Sequence, residues 1–142
     1  LKHLGEEIFN EYHKVMNVRN PWERVVSMYH MRLERNVRAD MSFEDYVKSG
    51  TKDLDSLHHY CAISKQSCLD TAIRFENLFE DTANFMKKLS IGNLSSIHSY
   101  PQEKGANSSR GHYTGYYNQE TKEIIRERYR KDIEFFNYEY DK

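Results

Sequence analysis

VMNVRNPWERVVSMY, at residues 15–29, joins a short apolar run to a strong helix-start signal. The apolar side chains at 15–18, interrupted by a single asparagine, predict a buried strand. Asn20 is a favoured helix N-cap, Pro21 suits the first helical position, and Glu23 could complete a capping box. The segment therefore predicts a strand that leads directly into a helix.

Arg19 lies at the junction between these two predicted elements. Ligands of open α/β sheets bind beyond the carboxyl ends of the strands, and a helix start offers unpaired N–H groups to an anion. Arg24 and Ser27 share one face of the helix with its start. This pattern favours an anion site, and a phosphate-bearing ligand is the first hypothesis.

The size and charge of the chain limit its class and its partners. A length of 142 residues suits one domain with a modest core, so we expect a single domain over residues 1–142. The formal net charge is −1, which excludes the global basic field that drives nonspecific nucleic-acid binding. No apolar run approaches the roughly 20 residues that span a bilayer. Any anion site must therefore be local.

Predicted strands and helices alternate along the chain. Thr71, Ala72, Ile73 and Phe75 predict a second buried strand, and a helix follows from Leu78. Strands separated by helices favour the α/β class with a parallel sheet. Two strands do not form a stable sheet alone, so further strands are expected upstream or in another chain.

The remaining helices follow from caps and apolar spacing. A short helix is expected near 4–9, and another opens at Ser42, whose hydroxyl can cap it. The stretch 57–65 is ambiguous and could be helical. One final helix begins near Thr121, and its buried stripe consists of Ile125, Tyr129, Ile133 and Phe136.

Three segments together resemble a known family. The pattern Arg19-Asn20-Pro21-x-x-Arg24-x-x-Ser27 resembles the 3′-phosphate-binding motif of sulfotransferases that use 3′-phosphoadenosine 5′-phosphosulfate (PAPS). DTAIRFENL at 70–78 is similar to the later strand of the carbohydrate sulfotransferase-like branch, and the tail from 116 to 138 is similar to the carboxyl-terminal helix of that branch. The resemblance covers the chain from about residue 4 to residue 140.

The resemblance implies a P-loop NTPase-like sulfotransferase fold, with a parallel sheet flanked by helices. The implied activity is transfer of a sulfuryl group from PAPS to a hydroxyl of a carbohydrate, with adenosine 3′,5′-bisphosphate as product and no metal. It assigns the 3′-phosphate contacts to Arg19 and Ser27. Arg24 could touch the nucleotide or pair with an acid. Ser109 and Arg110 resemble part of the loop that closes over the nucleotide, where backbone N–H groups could add an anion nest.

The resemblance also implies parts that this sequence lacks. The N-terminal strand, the loop that cradles the 5′-phosphosulfate and the catalytic base are expected upstream of Leu1. The chain is therefore expected to be the carboxyl-terminal portion of a sulfotransferase domain, without turnover on its own. A bacterial cytoplasmic location is favoured, and a truncated enzyme of the Golgi lumen is the other possibility. The exact acceptor and the oligomeric state cannot be deduced from the sequence.

Two other functions remain open. One is a non-catalytic nucleotide-binding or scaffold domain of the same fold. The other is a P-loop kinase-like phosphotransferase, which would prefer a nucleoside triphosphate and depend on magnesium. Sulfuryl transfer needs no metal, so sensitivity to a chelator separates the kinase-like enzyme from the sulfotransferase.

Overall fold

The computed structural model describes residues 5–37, 40–50, 55–57, 62–63, 66–92 and 111–141. The chain divides into two compact units, one formed by Leu1–Val18 with Cys61–Tyr100 and the other by Arg19–Tyr60 with Pro101–Lys142. The expectation of a single domain over 1–142 stays a prediction.

The first unit contains a small parallel sheet. Its strands are β1, Val15–Val18, and β4, Thr71–Arg74, paired in register from Val15 opposite Thr71 to Val18 opposite Arg74. Helix α1 spans Glu6–Glu11, and helix α4 spans Leu78–Lys88. The fold class is thus mixed α/β with a two-stranded parallel sheet flanked by helices, which confirms the coarse prediction.

Side chains tie the starts of β1 and β4 together. Asp70 accepts hydrogen bonds from the Lys14 backbone N–H at 2.8 Å and from the Lys14 ammonium at 2.9 Å. These bonds favour the ionised form and lower the pKa of the Asp70 carboxyl. His13 Nε2 and Thr71 Oγ1 lie 2.8 Å apart. Side-chain bonds at the start of the strands thus support the backbone pairing of β1 with β4.

One local prediction for the first unit is wrong. Phe75 does not continue β4, because the backbone turns into a 3₁₀ helix, Phe75–Asn77, and half of the Phe75 residue is exposed. Phe75 was assigned from a short apolar run, which does not distinguish between local conformations. The stretch 57–65, which the sequence leaves ambiguous, is not helical at the described residues 57 and 62–63: β2, Ala62–Ile63, pairs in antiparallel fashion with β3, Gln66–Ser67.

The second unit is helical. It contains α2, Pro21–Glu34, α3, Phe43–Lys48, the 3₁₀ turn Tyr113–Tyr116, α5, Gln119–Arg128, and α6, Arg130–Phe136. Their apolar faces meet in one core, whose buried residues are Trp22, Val25, Tyr46, Val47, Ile125 and Tyr129. Most of the predicted stripe of the final helix is buried here, since Ile125, Tyr129 and Phe136 are all at most 5% exposed.

The predicted final helix is two helices. At Tyr129 the backbone leaves helical values (φ −107°, ψ 23°) and separates α5 from α6, while the residue remains 1% exposed. The sequence at this point contains neither proline nor glycine, so no local signal marks the break. The break nonetheless leaves Tyr129 in the core.

Candidate functional site

The start of α2 has the predicted cap. Asn20 Oδ1 accepts a hydrogen bond from the Trp22 backbone N–H at 3.0 Å, and Asn20 O accepts the first intrahelical bond, from the Arg24 N–H at 2.8 Å. Pro21 occupies the first helical position, where its missing N–H costs nothing. A 14-residue helix therefore begins directly after Arg19, with its positive dipole end beside that residue.

Arg19 is oriented along this helix by Glu23. Arg19 Nη2 donates to Glu23 Oε1 at 2.8 Å, and the two side chains are 23% and 30% exposed. Glu23 therefore does not complete the predicted capping box, since its carboxylate is engaged by the guanidinium four residues earlier. The ion pair is therefore partly buried.

Ser27 lies on the same face of α2 as Glu23. Side chains four residues apart lie one above another on a helix surface, so Glu23 and Ser27 are neighbours. Arg19 precedes the helix, which begins at Pro21, and contacts this face through its ion pair with Glu23. Ser27 is partly buried, and within the described part of the chain its hydroxyl makes no hydrogen bond.

Arg24 has a different environment. Arg24 Nη2 donates to Asp132 Oδ2 at 3.3 Å, its guanidinium carbon lies 5.0 Å from the Tyr129 ring centroid, and its side chain is 12% exposed. This geometry agrees with the alternative in which Arg24 pairs with an acid.

Asp132 is a residue that sequence reasoning missed. It is 1% exposed, and it also accepts from Ser56 Oγ at 2.5 Å and from the Leu57 N–H at 2.9 Å. The signal was present, because Asp132 stands in the apolar stripe, three residues after Tyr129 and four before Phe136. An acid at such a position needs a buried cationic partner.

Ser109 and Arg110 lie outside the described residues. The next described residue is Gly111, and the 3₁₀ turn Tyr113–Tyr116 follows within the second unit.

Two tyrosines of this region donate hydrogen bonds to backbone carbonyls. Tyr113, in the turn, donates to Tyr140 O, and Tyr117, directly after the turn, donates to Trp22 O at 2.9 Å. Burial raises the pKa of the Tyr117 phenol well above its usual range. Tyr117 is therefore a neutral packing residue.

No group of histidine, cysteine, aspartate and glutamate side chains among the described residues is arranged to hold a metal ion. Within the same residues, no helix has the length and apolar character needed to cross a membrane.

Comparison with known proteins gives two matches. A family model described as "Sulfotransferase family" matches residues 2–139. An uncharacterized protein of Archaeoglobus fulgidus is 33% identical over 98 residues, which cover 62% of this chain and 76% of that protein. No solved structure matches. The family match includes the start of α2, with Arg19 and Ser27, and Asp132 of α6.

Proposed function

The chain belongs to the sulfotransferase family, and from this we propose that it holds the 3′-phosphate end of PAPS in an enzyme that sulfates a carbohydrate hydroxyl. When bound, the donor supplies an activated sulfuryl group, and adenosine 3′,5′-bisphosphate is the leaving product. The contribution of this chain is to bind and orient the nucleotide through Arg19 and Ser27.

One observation carries the proposal: Arg19 stands at the capped amino end of α2 in a partly exposed ion pair. A phosphate monoester carries nearly two negative charges, which the positive end of a helix and an arginine both favour. Exposed ion pairs contribute only about 0–1 kcal/mol. A phosphate can therefore engage the Arg19 guanidinium without a large loss from the contact with Glu23.

Ser27 supplies the second contact in this proposal. Its hydroxyl lies on the face of α2 that carries Glu23, the partner of Arg19, and can donate to a phosphate oxygen. A nucleotide without a 3′-phosphate would leave Arg19 on Glu23 and the Ser27 hydroxyl without a hydrogen bond. The arrangement thus favours 3′-phosphorylated nucleotides over ordinary ones.

In this proposal Arg24, Ser109 and Arg110 have secondary roles. Asp132 already neutralises Arg24, so we assign Arg24 to holding α2 in place instead of to the nucleotide. Ser109 and Arg110 are proposed to add hydrogen-bond donors to the bound nucleotide. Arg110 stands three residues before Tyr113, and a separation of three residues spans at most about 11 Å.

The binding half of the proposal is tested by calorimetric titration with two nucleotides. Adenosine 3′,5′-bisphosphate carries the proposed determinant, and adenosine 5′-monophosphate lacks it. Arg19→Ala should weaken binding of the bisphosphate about 10- to 100-fold, because a charge-assisted contact is lost, and Ser27→Ala about 2- to 10-fold. Binding of the monophosphate should change little in either variant.

Arg35→Ala is the matched control, since it removes an equal charge from the opposite end of α2. Equal affinity of the unaltered protein for both nucleotides would contradict the 3′-phosphate assignment. Absence of nucleotide binding would favour a scaffold domain, and a requirement for magnesium and a nucleoside triphosphate would favour a kinase-like enzyme.

The acceptor class is tested separately. Because no turnover is expected from residues 1–142 alone, radiolabelled PAPS is supplied to the protein together with any residues upstream of Leu1, first with a panel of carbohydrates and then with a panel of phenols and peptides. Transfer to carbohydrates alone supports the proposed acceptor. Transfer to phenols or peptides alone would retain sulfuryl transfer and overturn the carbohydrate assignment.

A further inference from the structure

The side chain of Asn20 does more than cap α2. It is 1% exposed, and its oxygen accepts from the Trp22 N–H. Its Nδ2 donates to Glu139 O at 2.9 Å and to the Tyr113 hydroxyl at 3.4 Å. Both amide hydrogens are therefore directed at residues far along the chain, which a serine or aspartate cap could not achieve.

The partners of Asn20 are themselves tied together. The Tyr113 hydroxyl, which accepts from Asn20, donates to Tyr140 O. The Tyr140 hydroxyl donates to Thr114 O at 3.1 Å and so returns to the turn that contains Tyr113. These bonds close a ring of contacts among the start of α2, the turn Tyr113–Tyr116 and the carboxyl-terminal residues 139–140.

Aromatic packing holds the Tyr140 ring in this position. The ring meets Trp22 edge to face at a centroid distance of 5.5 Å and Tyr117 at 5.8 Å. Lys122 Nζ lies 4.0 Å from the centroid of the same ring. Edge-to-face pairs and cation–π contacts each add stabilisation beyond burial, so the carboxyl-terminal turn is fixed on the start of α2.

We infer that Tyr113 and Tyr140 are positioning residues for the phosphate end of the nucleotide site, acting through the amide of Asn20. This inference rests on the proposed function. Arg19 is joined to Asn20 by one peptide bond, so the orientation of that peptide determines where the Arg19 side chain begins. The family match ends at residue 139, so Tyr140 lies beyond it.

Positioning predicts an effect on nucleotide discrimination, whereas a purely structural role does not. The decisive quantity is the ratio of the Kd for adenosine 5′-monophosphate to the Kd for adenosine 3′,5′-bisphosphate. Loosening the Asn20 peptide should affect the 3′-phosphate contacts and leave the other contacts of the nucleotide intact. A general loss of folding would weaken both nucleotides together.

Three conservative variants test the inference. Tyr113→Phe removes the hydroxyl that links Asn20 to Tyr140. Asn20→Ser retains a good helix cap and adds no charge, but it removes both amide donors. Tyr140→Phe removes only the bond to Thr114 O and keeps the ring. Tyr12→Phe, at a 65% exposed position in the first unit, is the matched control.

The ratio should fall about 3- to 10-fold in Tyr113→Phe and Asn20→Ser, by less in Tyr140→Phe, and not in the control. Titrations are run well below the thermal midpoint of each variant, and the midpoints are measured alongside. An unchanged ratio in Tyr113→Phe and Asn20→Ser, whether or not their midpoints fall, would overturn the inference. A ratio near one in the unaltered protein would instead overturn the proposed function on which the inference rests.

Discussion

Arg19 and Arg24 belong to one short motif, yet their surroundings assign them different tasks. Arg19 pairs with Glu23 in a contact that solvent reaches, and such pairs contribute about 0–1 kcal/mol. Arg24 pairs with Asp132, which is 1% exposed, and breaking a buried pair costs about 3–5 kcal/mol. The Arg19 pair should therefore cost less to break than the Arg24 pair, and the exchange of Glu23 for a ligand stays a proposal.

Asp132→Ala should lower the free energy of unfolding by about 3–5 kcal/mol. The change leaves Arg24 buried without its carboxylate and removes the acceptor for Ser56 and the Leu57 N–H. Urea unfolding monitored by circular dichroism measures the difference.

The control for this prediction is Glu23→Ala, which breaks the partly exposed pair and should cost about 1 kcal/mol. Replacing both members of the buried pair by apolar residues, in Arg24→Met with Asp132→Leu, should recover much of the loss. If Asp132→Ala were as mild as Glu23→Ala, the contrast drawn between the two arginines would be mistaken.

Short polar side chains cap the starts of three helices in the described part of the chain. Asn20 caps α2, Ser42 caps α3 by accepting from the Asp45 N–H, and Asn118 forms a capping box with Thr121 at the start of α5. At the carboxyl end of α6, Asn137 adopts a left-handed conformation (φ 55°, ψ 50°). Each of these residues satisfies or terminates backbone bonds that a helix leaves open at its ends.

The left-handed conformation of Asn137 makes a testable prediction about the end of α6. Asn137→Ala should destabilise the protein by about 1 kcal/mol, because a β-carbon without a polar group is strained there. Asn137→Gly should be neutral or slightly stabilising, because glycine reaches positive φ freely. Urea midpoints of the two variants measure the difference.

Glu134→Ala, at an exposed position within α6, is the control and should stay within about 0.5 kcal/mol of the unaltered protein. Equal destabilisation by alanine and glycine at position 137 would show that the side chain of Asn137, and not its backbone conformation, matters.

The stability of the chain as a whole should depend on alkaline pH through its packed tyrosines. Desolvation raises the pKa of Tyr117 and of Tyr140 above the ordinary value of 10.0. Above that pH the unfolded chain releases these protons while the folded chain keeps them. The unfolded state then binds fewer protons, so stability falls as pH rises from 10 toward the raised pKa values.

Tyr117→Phe should reduce this alkaline loss of stability. One proton that the folded state retains contributes a slope of up to about 1.4 kcal/mol per pH unit, and the variant lacks that proton. Urea unfolding at about pH 8 and about pH 11 gives the slopes of both proteins. Tyr12→Phe is the control, and an identical slope in Tyr117→Phe and the unaltered protein would contradict the prediction.

Local sequence signals predicted those parts of the structure that depend on residues a few positions apart. The bounds of β1, the Asn20 cap with Pro21 after it, and the Ser42 cap are confirmed. The family match confirms the sulfotransferase resemblance, while the roles of Arg19 and Ser27 stay predictions. These features could be predicted because a cap or a short strand is determined by backbone bonding within one turn or one apolar run.

Pairs of residues that are far apart in the sequence could be identified only from the tertiary structure. Arg24 finds Asp132 at a separation of 108 residues, and Asn20 finds Glu139 at a separation of 119. The break at Tyr129 and the early end of β4 before Phe75 belong to the same class, since nothing adjacent in the sequence marks them. Buried charged and polar groups need partners, and their partners are the groups that the packing of the chain places nearby. The order of the residues in the sequence does not reveal which groups those are.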